Sequence, residues 1–496
     1  MRRHLPAILA LSVAVGCGSS VSSVHFARPP LAGGRRAPTP DDPFRAKAPA
    51  VGKRIPFTPP AIEEARLSNG VRVLYLARHE FPIVSLRLVS SLGGDLAPLG
   101  VGPLWARMLF RGPDGDDRGK VWRAFGAHGA DVQADVYDDL SAVGLQVLSG
   151  DYRRCIELLG EVVRDASFPA TGLEDARVLQ LSTIARRADN PHTVARIALD
   201  EALYPIGDRY REPVSGTTAA IKAVTRAQLV AYHREAMNAE RLSIAVAGDF
   251  EPKTLLAELE QDFGKLPKIG AAAAPTSAPI PASTAPRLTL IDRPGSTQAT
   301  IIVGALGVGI DHADRAAIEV LRARLGARVM SNLREEHAYT YGASSAALFT
   351  RRPGPIFVEG AIDIDHAGEA IKEVLAEIDA LRKDPLPKED LADAIDGATL
   401  RIARFFDSAD HIAARLGVVG ALGAPASFDA DDVKMLSAIT AADVTRVTNT
   451  YFAPDAVHII VVGDSKVVKP QLDALDDVKV DVEKGSPEKG TPETSE

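Results

Sequence analysis

Eleven histidines and two cysteines are the strongest metal ligands in this 496-residue chain, and their spacing decides what chemistry they can do. A hydrolytic zinc site built on one helix needs two His a turn apart with a Glu beside them to activate water, as in H-E-x-x-H or H-x-x-E-H. The closest two histidines here are His4 and His25, so neither motif occurs, nor does H-x-H. Cys17 and Cys155 are too few for a multi-cysteine zinc site or a disulfide framework. Cys155 lies in the helical pattern YRRCIELLGEVV beside Ile156 and Leu159 and reads as a buried structural thiol. Gly304, Gly307 and Gly309 superficially resemble a dinucleotide loop, but His312 stands where the third glycine belongs, so a β-to-α turn is the better reading. There is no G-x-S-x-G elbow and no phosphate loop ending in Gly-Lys-Ser/Thr.

The elements that position these residues are ordinary globular ones. Composition is 46% hydrophobic and 25% charged, and 57 Lys and Arg against 65 Asp and Glu leave a net charge of −8. That balance offers no basic surface for phosphates, and nucleic acid is excluded as a partner. Arg2 and Arg3 precede an apolar run from Leu5 to Val15, too short to span a bilayer and suited to a signal peptide. Ala14-Val15-Gly16-Cys17 resembles a bacterial lipobox, which makes Cys17 the expected lipidation site. Two or three acyl chains there would anchor the chain stably. The expected location is therefore outside the cytoplasm, as a bacterial outer-membrane or periplasmic lipoprotein.

The domain reading is a signal peptide at 1–17, a Pro- and Gly-rich tether at 18–60, a first domain at 61–267, a linker at 268–286, a second domain at 287–467 and a mostly disordered tail at 468–496. The two domains read as copies. Ala223 to Asp249 aligns without gaps on Ala438 to Asp464, each a Thr-capped helix followed by an apolar strand ending in Gly-Asp. Strands are expected at 71–77 and 83–90, and helices at 102–110, 120–126, 152–166, 172–188 and 191–204. The second half repeats the mixture with a strand at 299–305, a helix at 311–334 capped by Asp311, and a strand at 340–349. Antiparallel strand runs with helices between them indicate α+β.

Leu67-Ser68-Asn69-Gly70-Val71, Pro82, Gly93-Gly94 and Met108-Leu109-Phe110-Arg111-Gly112 resemble the start of the insulinase, pitrilysin and mitochondrial processing peptidase family. So do Asp189-Asn190-Pro191 and, in the second half, Asp292 to Gln298 and Leu333-Arg334-Glu335-Glu336 through Tyr341-Gly342. The resemblance covers residues 60 to 467. It implies two homologous α+β domains, each a mainly antiparallel sheet packed with helices, that enclose a peptide-binding chamber.

The family's chemistry rests on H-x-x-E-H and a downstream Glu. Here the motif positions are Pro103, Leu104, Trp105, Ala106 and Arg107, and the third ligand falls near Ser182-Thr183-Ile184. Pro and Ala offer no lone pair and Arg repels a cation, so the motif is degenerate and no metal is expected in this chain. His128, near the place where the family shapes its cleft, reads as a surface or loop residue. What the resemblance retains is an Arg and a Tyr seven residues apart, Arg334 and Tyr341, which in the family reach the substrate. The implied function is a zinc-less subunit, inactive alone, that supplies these substrate-binding donors to a homologous H-x-x-E-H partner carrying the zinc, in peptide hydrolysis. The alternative is a non-catalytic scaffold or peptide-binding outer-membrane lipoprotein.

Overall fold

The computed structural model describes residues 52, 56–111, 119–270, 280, 287–475 and 480–483. Residues 57–496 form one compact unit; of the separate unit 1–56, only Gly52 and Pro56 are described. The expected signal peptide, its Cys17 and nearly all of the tether lie outside the described residues, as does most of the linker.

The first half runs β1 (Glu63–Arg66), β2 (Arg72–Ala77), β3 (Ile83–Ser90), α1 (Val101–Met108), α2 (Lys120–Gly126), β4 (Asp131–Val136), β5 (Ser141–Leu148), α3 (Tyr152–Arg164), α4 (Ala170–Ala185), α5 (Pro191–Leu203), α6 (Thr218–Ala223), α7 (Arg226–Ala236), β6 (Leu242–Gly248) and α8 (Pro252–Phe263). The second runs β7 (Leu288–Asp292), β8 (Gln298–Leu306), α9 (Arg315–Met330), β9 (Thr340–Ala347), β10 (Pro355–Asp363), α10 (Ala367–Lys383), α11 (Lys388–Ala403), α12 (Ala409–Ala421), α13 (Phe428–Ser437), α14 (Ala441–Tyr451), β11 (His458–Gly463), α15 (Ser465–Leu472) and β12 (Val480–Glu483).

Each half builds a six-stranded sheet, ordered β1-β2-β6-β3-β5-β4 and β12-β7-β11-β8-β10-β9. In both, the second and third strands are parallel and the next pairings antiparallel. The fold is therefore mixed α+β, with the same plan executed twice. The local signal behind the repeat is chemical: Thr225 with Gln228, and Thr440 with Asp443, form reciprocal capping boxes that satisfy otherwise orphaned N–H groups of α7 and α14.

The halves are joined by an exchange of equivalent helices. α5, from the first half, packs on β8 and β11 of the second sheet; α12, from the second half, packs on β2, β3 and β6 of the first. Small residues make this approach close. A Cβ on Gly417 would stand 2.5 Å from Val89, and one on Gly420 2.7 Å from Ser243. On α12, Ile412, Ala413, Leu416 and Val419 are buried, and on α5 so are Val194, Ala195, Leu199 and Ala202.

Two expectations are corrected here, the start of the long helix and the end of the second half. Where the halves meet, α5 and α12 each cover part of the other half's sheet. What the seam leaves is a recess of about 380 Å³ between the β4–β5 turn and α9, α11, α12 and α13, the size of a small-ligand pocket. The long helix begins at Arg315, not Asp311; the residue before it, Asp314, gives its carboxylate to Arg446 and to the Tyr451 hydroxyl, both at 2.7 Å, and does not cap. The second half also continues past residue 467, with Val468 and Leu472 buried on α15 and β12 added parallel to β7.

The seam is strongly charged. Arg351 meets Asp95 at 2.5 Å, Arg352 meets Asp208 at 2.6 Å and Arg87 meets Asp410 at 2.5 Å. Burial pushes Asp95 and Asp138 up to about 6 and Asp200, on α5, up to about 7. His192, on the same helix, is raised by its contact with Glu359. The three carboxylates hold protons more tightly folded than unfolded, so the stability they carry is complete below the unfolded carboxylate range and is lost as pH rises through 6 to 7; the raised His192 contributes with the same sign. The melting temperature is therefore expected to fall between pH 5 and pH 8, and Asp200→Asn to flatten that slope, as calorimetry across the range will read. A wild-type slope in the Asp200→Asn variant would exclude Asp200 as the source.

Candidate functional site

α1 carries the degenerate motif on its open side. Val101, Leu104, Trp105 and Met108 are buried, leaving Pro103 and Ala106 part-exposed and Arg107 exposed at i, i+3 and i+4. Pro103 is tolerated because the first turn of a helix has no intrahelical use for its N–H. The helix is pressed onto the sheet: a Cβ on Gly102 would stand 2.8 Å from Val136.

Arg107 reaches across to α4. Its Nε donates to Gln180 Oε1 at 2.6 Å and its Nη2 to Thr183 Oγ1 at 2.9 Å. Of the triplet 182–184, the structure therefore selects Thr183 as the residue facing α1; Ile184 is buried. Gln180 in turn donates to the Ser215 carbonyl at 2.8 Å. Sequence spacing misses Gln180, which carries no signal beyond lying one turn before Thr183 on the same helix face. Burial and the nearby Arg186 lower the Arg107 pKa, yet a guanidinium stays charged throughout the physiological range. The residues do not fit a zinc ion: two lack donor atoms, one is cationic, and the hydroxyl at 183 is already engaged. Among the described residues, no group of three or more His, Cys, Asp or Glu could hold a metal.

The neighbouring imidazole is structural. His233 Nδ1 accepts from Trp105 Nε1 at 3.1 Å and its Nε2 faces the Val163 carbonyl at 2.8 Å, so the ring is satisfied as the neutral tautomer and burial lowers its pKa. His128 follows α2 and sits 2.8 Å from Asp151, away from any ligand set. Cys155 is fully buried, and burial raises its thiol to about 11, leaving it inert.

Arg334 and Tyr341 lie at the far end of α9, whose Ile318, Leu321, Leu325 and Val329 form the buried stripe. Arg334 belongs to a π-helical turn, Ser331–Glu336, and Tyr341 is the second residue of β9. Arg334 is half-exposed, and its one ion pair among the described residues is with Glu335, at 3.6 Å, a solvent-screened contact worth about 0–1 kcal/mol. Tyr341 is 89% exposed and does not pack in the sheet. Both polar heads are thus available to a ligand at no cost to the core.

The arrangement predicts what restores a metal. Pro103→His, Ala106→Glu and Arg107→His together supply two imidazoles and a base but leave the site short of a protein ligand. Adding Thr183→Glu completes the set, at the position Arg107 now touches. Elemental analysis is expected to find about one zinc per chain in the fourfold variant and none retained by the threefold one. Stoichiometric zinc in the threefold variant would contradict this assignment of the third position.

Residues 223–397 match the family model described as the peptidase M16 inactive domain. An uncharacterized zinc protease of Mycobacterium tuberculosis is 27% identical over 248 residues, which is 48% of this chain and 55% of that protein. The chain thus spans about half the length of the curated relatives it matches. The crystal structure of a peptidase M16 inactive domain from Pseudomonas fluorescens superposes with a TM-score of 0.73 at 27% identity, covering 81% of this chain and 98% of that one. A protease from Helicobacter pylori shares the fold at a TM-score of 0.75 and 16% identity, covering 82% of this chain and 100% of that one.

Proposed function

Since the chain belongs to the insulinase and pitrilysin (M16) peptidase family and carries a peptidase-like fold without the family's zinc ligands, we propose that it is a zinc-less subunit that holds peptide for a zinc-bearing homologue. The observation that carries this reading is the contrast between its two candidate sites. Arg107 closes the metal position by bonding to Gln180 and Thr183, while Arg334 is half-exposed and Tyr341 almost wholly exposed. In this reading zinc resides only in the partner, which carries H-x-x-E-H. Arg334 and the Tyr341 hydroxyl donate to the peptide carbonyl and to the oxyanion that develops there, and the single chain contributes one wall of the chamber.

The test is to purify the chain with a homologous H-x-x-E-H protein from the same genome and assay peptide hydrolysis by each alone and by both together. Activity confined to the mixture supports the subunit reading. Full activity of the zinc-bearing chain alone would leave a scaffold or peptide-binding role instead. The reading also places the protein at a bacterial membrane through Cys17. Cys17→Ala is expected to release it on fractionation, with detergent but not salt extracting the wild type. A mutant that still pellets with membranes would rule this anchor out.

A further inference from the structure

Between Arg334 and Tyr341 the chain is irregular in three independent ways. Ser331–Glu336 winds as a π-helix continuing α9. Ala338 adopts φ +57°, a left-handed conformation that a β-carbon disfavours. Tyr339 lies between two imidazoles: its ring centre is 5.0 Å from that of His337 and 4.5 Å from that of His366, each within 18° of parallel. π-turns and strained residues persist only where surrounding contacts over-determine them, and they gather at functional sites.

Those contacts come from α10. His366, in the turn before α10, bonds through Nδ1 to Glu369 at 2.7 Å, and Tyr339 also bonds to that carboxylate, which the two together hold below its ordinary range. One turn on, Glu373 lies 3.9 Å from His337 Nε2 and accepts from Asn332 Nδ2 at 3.0 Å. A further turn on, Glu377 accepts from the same amide at 3.0 Å and from Arg328. Three carboxylates at four-residue spacing on one face of α10 thus grip the end of α9, the π-turn and the stack in succession. Thr340 and Tyr339 complete the hold through β10 and the residue that ends it, with Thr340 Oγ1 donating to the Ala361 carbonyl at 2.7 Å and the Asp363 N–H donating to the Tyr339 carbonyl at 2.8 Å. His337 and His366 are over a third exposed, while Tyr339 between them is half-buried against the core of the second half, so the stack ties a surface turn to packed structure.

We propose that His337, Tyr339 and His366 form a clasp of positioning residues that fixes the backbone of the 334–341 turn on α10, so that Arg334 and Tyr341 meet a peptide without first being ordered. This rests on the reading of that pair as peptide donors. A donor held on rigid backbone loses less freedom on binding than one on a free loop, and a small misplacement of it is expensive.

The test uses the full chain. Hydrogen exchange is followed by mass spectrometry over residues 331–343, and binding of a fluorescein-labelled unstructured peptide by anisotropy. Tyr339→Ala and His366→Ala are expected to speed exchange in that segment by about tenfold or more and to weaken peptide binding several-fold, with the global melting transition unchanged in His366→Ala. Tyr339→Phe and His366→Phe, which keep a ring in the stack, are expected to recover most of both. Unchanged exchange in the alanine variants overturns the clasp. Faster exchange with unaltered binding, where Arg334→Ala does weaken binding, overturns its positioning role. If Arg334→Ala itself leaves binding intact, it is the donor reading that fails, and the positioning role goes with it.

Discussion

In the proposed complex with a zinc-bearing homologue, Arg334→Ala or Tyr341→Phe is expected to lower peptide turnover by about 10²-fold or more, while assembly is kept. The expectation comes from where the side chains are. Arg334 is half-exposed with one solvent-screened ion pair among the described residues and Tyr341 is almost wholly exposed, so neither truncation strands a buried charge. Exposed substitutions of this kind change stability by about 0.5 kcal/mol or less. A preorganised donor aimed at a developing oxyanion, by contrast, contributes about 2.7–4 kcal/mol to the barrier. The kinetic parameter that moves identifies the role: kcat falls if the contact strengthens in the transition state, and KM alone rises if the pair only holds the peptide. Unchanged hydrolysis with intact assembly in both variants would remove the donor role and favour a scaffold.

The second large effect concerns folding. Residues 57–270 expressed without the second half are expected to lack a cooperative unfolding transition, and to regain one when co-expressed with 287–483. The first sheet's face along β2, β3 and β6 is covered by α12, which the second half supplies. Ile412, Leu416 and Val419 are each almost fully buried there, at about 1.5–3 kcal/mol per side chain. Their loss alone approaches the whole stability of an ordinary domain, about 5–15 kcal/mol. Near-UV circular dichroism and denaturant titration read this directly. A sharp transition in the isolated first half would show that α12 is dispensable.

What could be read in the sequence was what local chemistry writes. Thr225 and Thr440 announce their helices because a hydroxyl and an acceptor three residues on satisfy the same N–H groups wherever the helix later packs. The apolar stripe of α9 was equally plain, since its period depends on the helix alone. The exchange of α5 and α12 was not, because periodicity says which face of a helix is buried and not which sheet buries it. Asp311 misled for the opposite reason: it has the chemistry of a cap, but the helix starts later, where Asp314 is drawn off by Arg446 and Tyr451. The family resemblance put the third metal position within residues 182–184, where Thr183 meets Arg107, whereas Gln180 and the ring stack depend on contacts between distant segments, for which spacing leaves no trace.

The bond from Arg107 to Gln180 and Thr183 has a bearing on how such a protein lives with its surroundings. A metal that joins two helices must be acquired, can be stripped, and ties the fold to the supply of an ion for which cells compete. A guanidinium is translated with the chain. The α1–α4 junction is then assembled at synthesis, indifferent to chelators and to zinc scarcity, and it presents nothing that a competing thiol or imidazole could extract. In a pair of homologous subunits, only one would need metallation, and loss of zinc would silence the pair without loosening the half that holds the substrate.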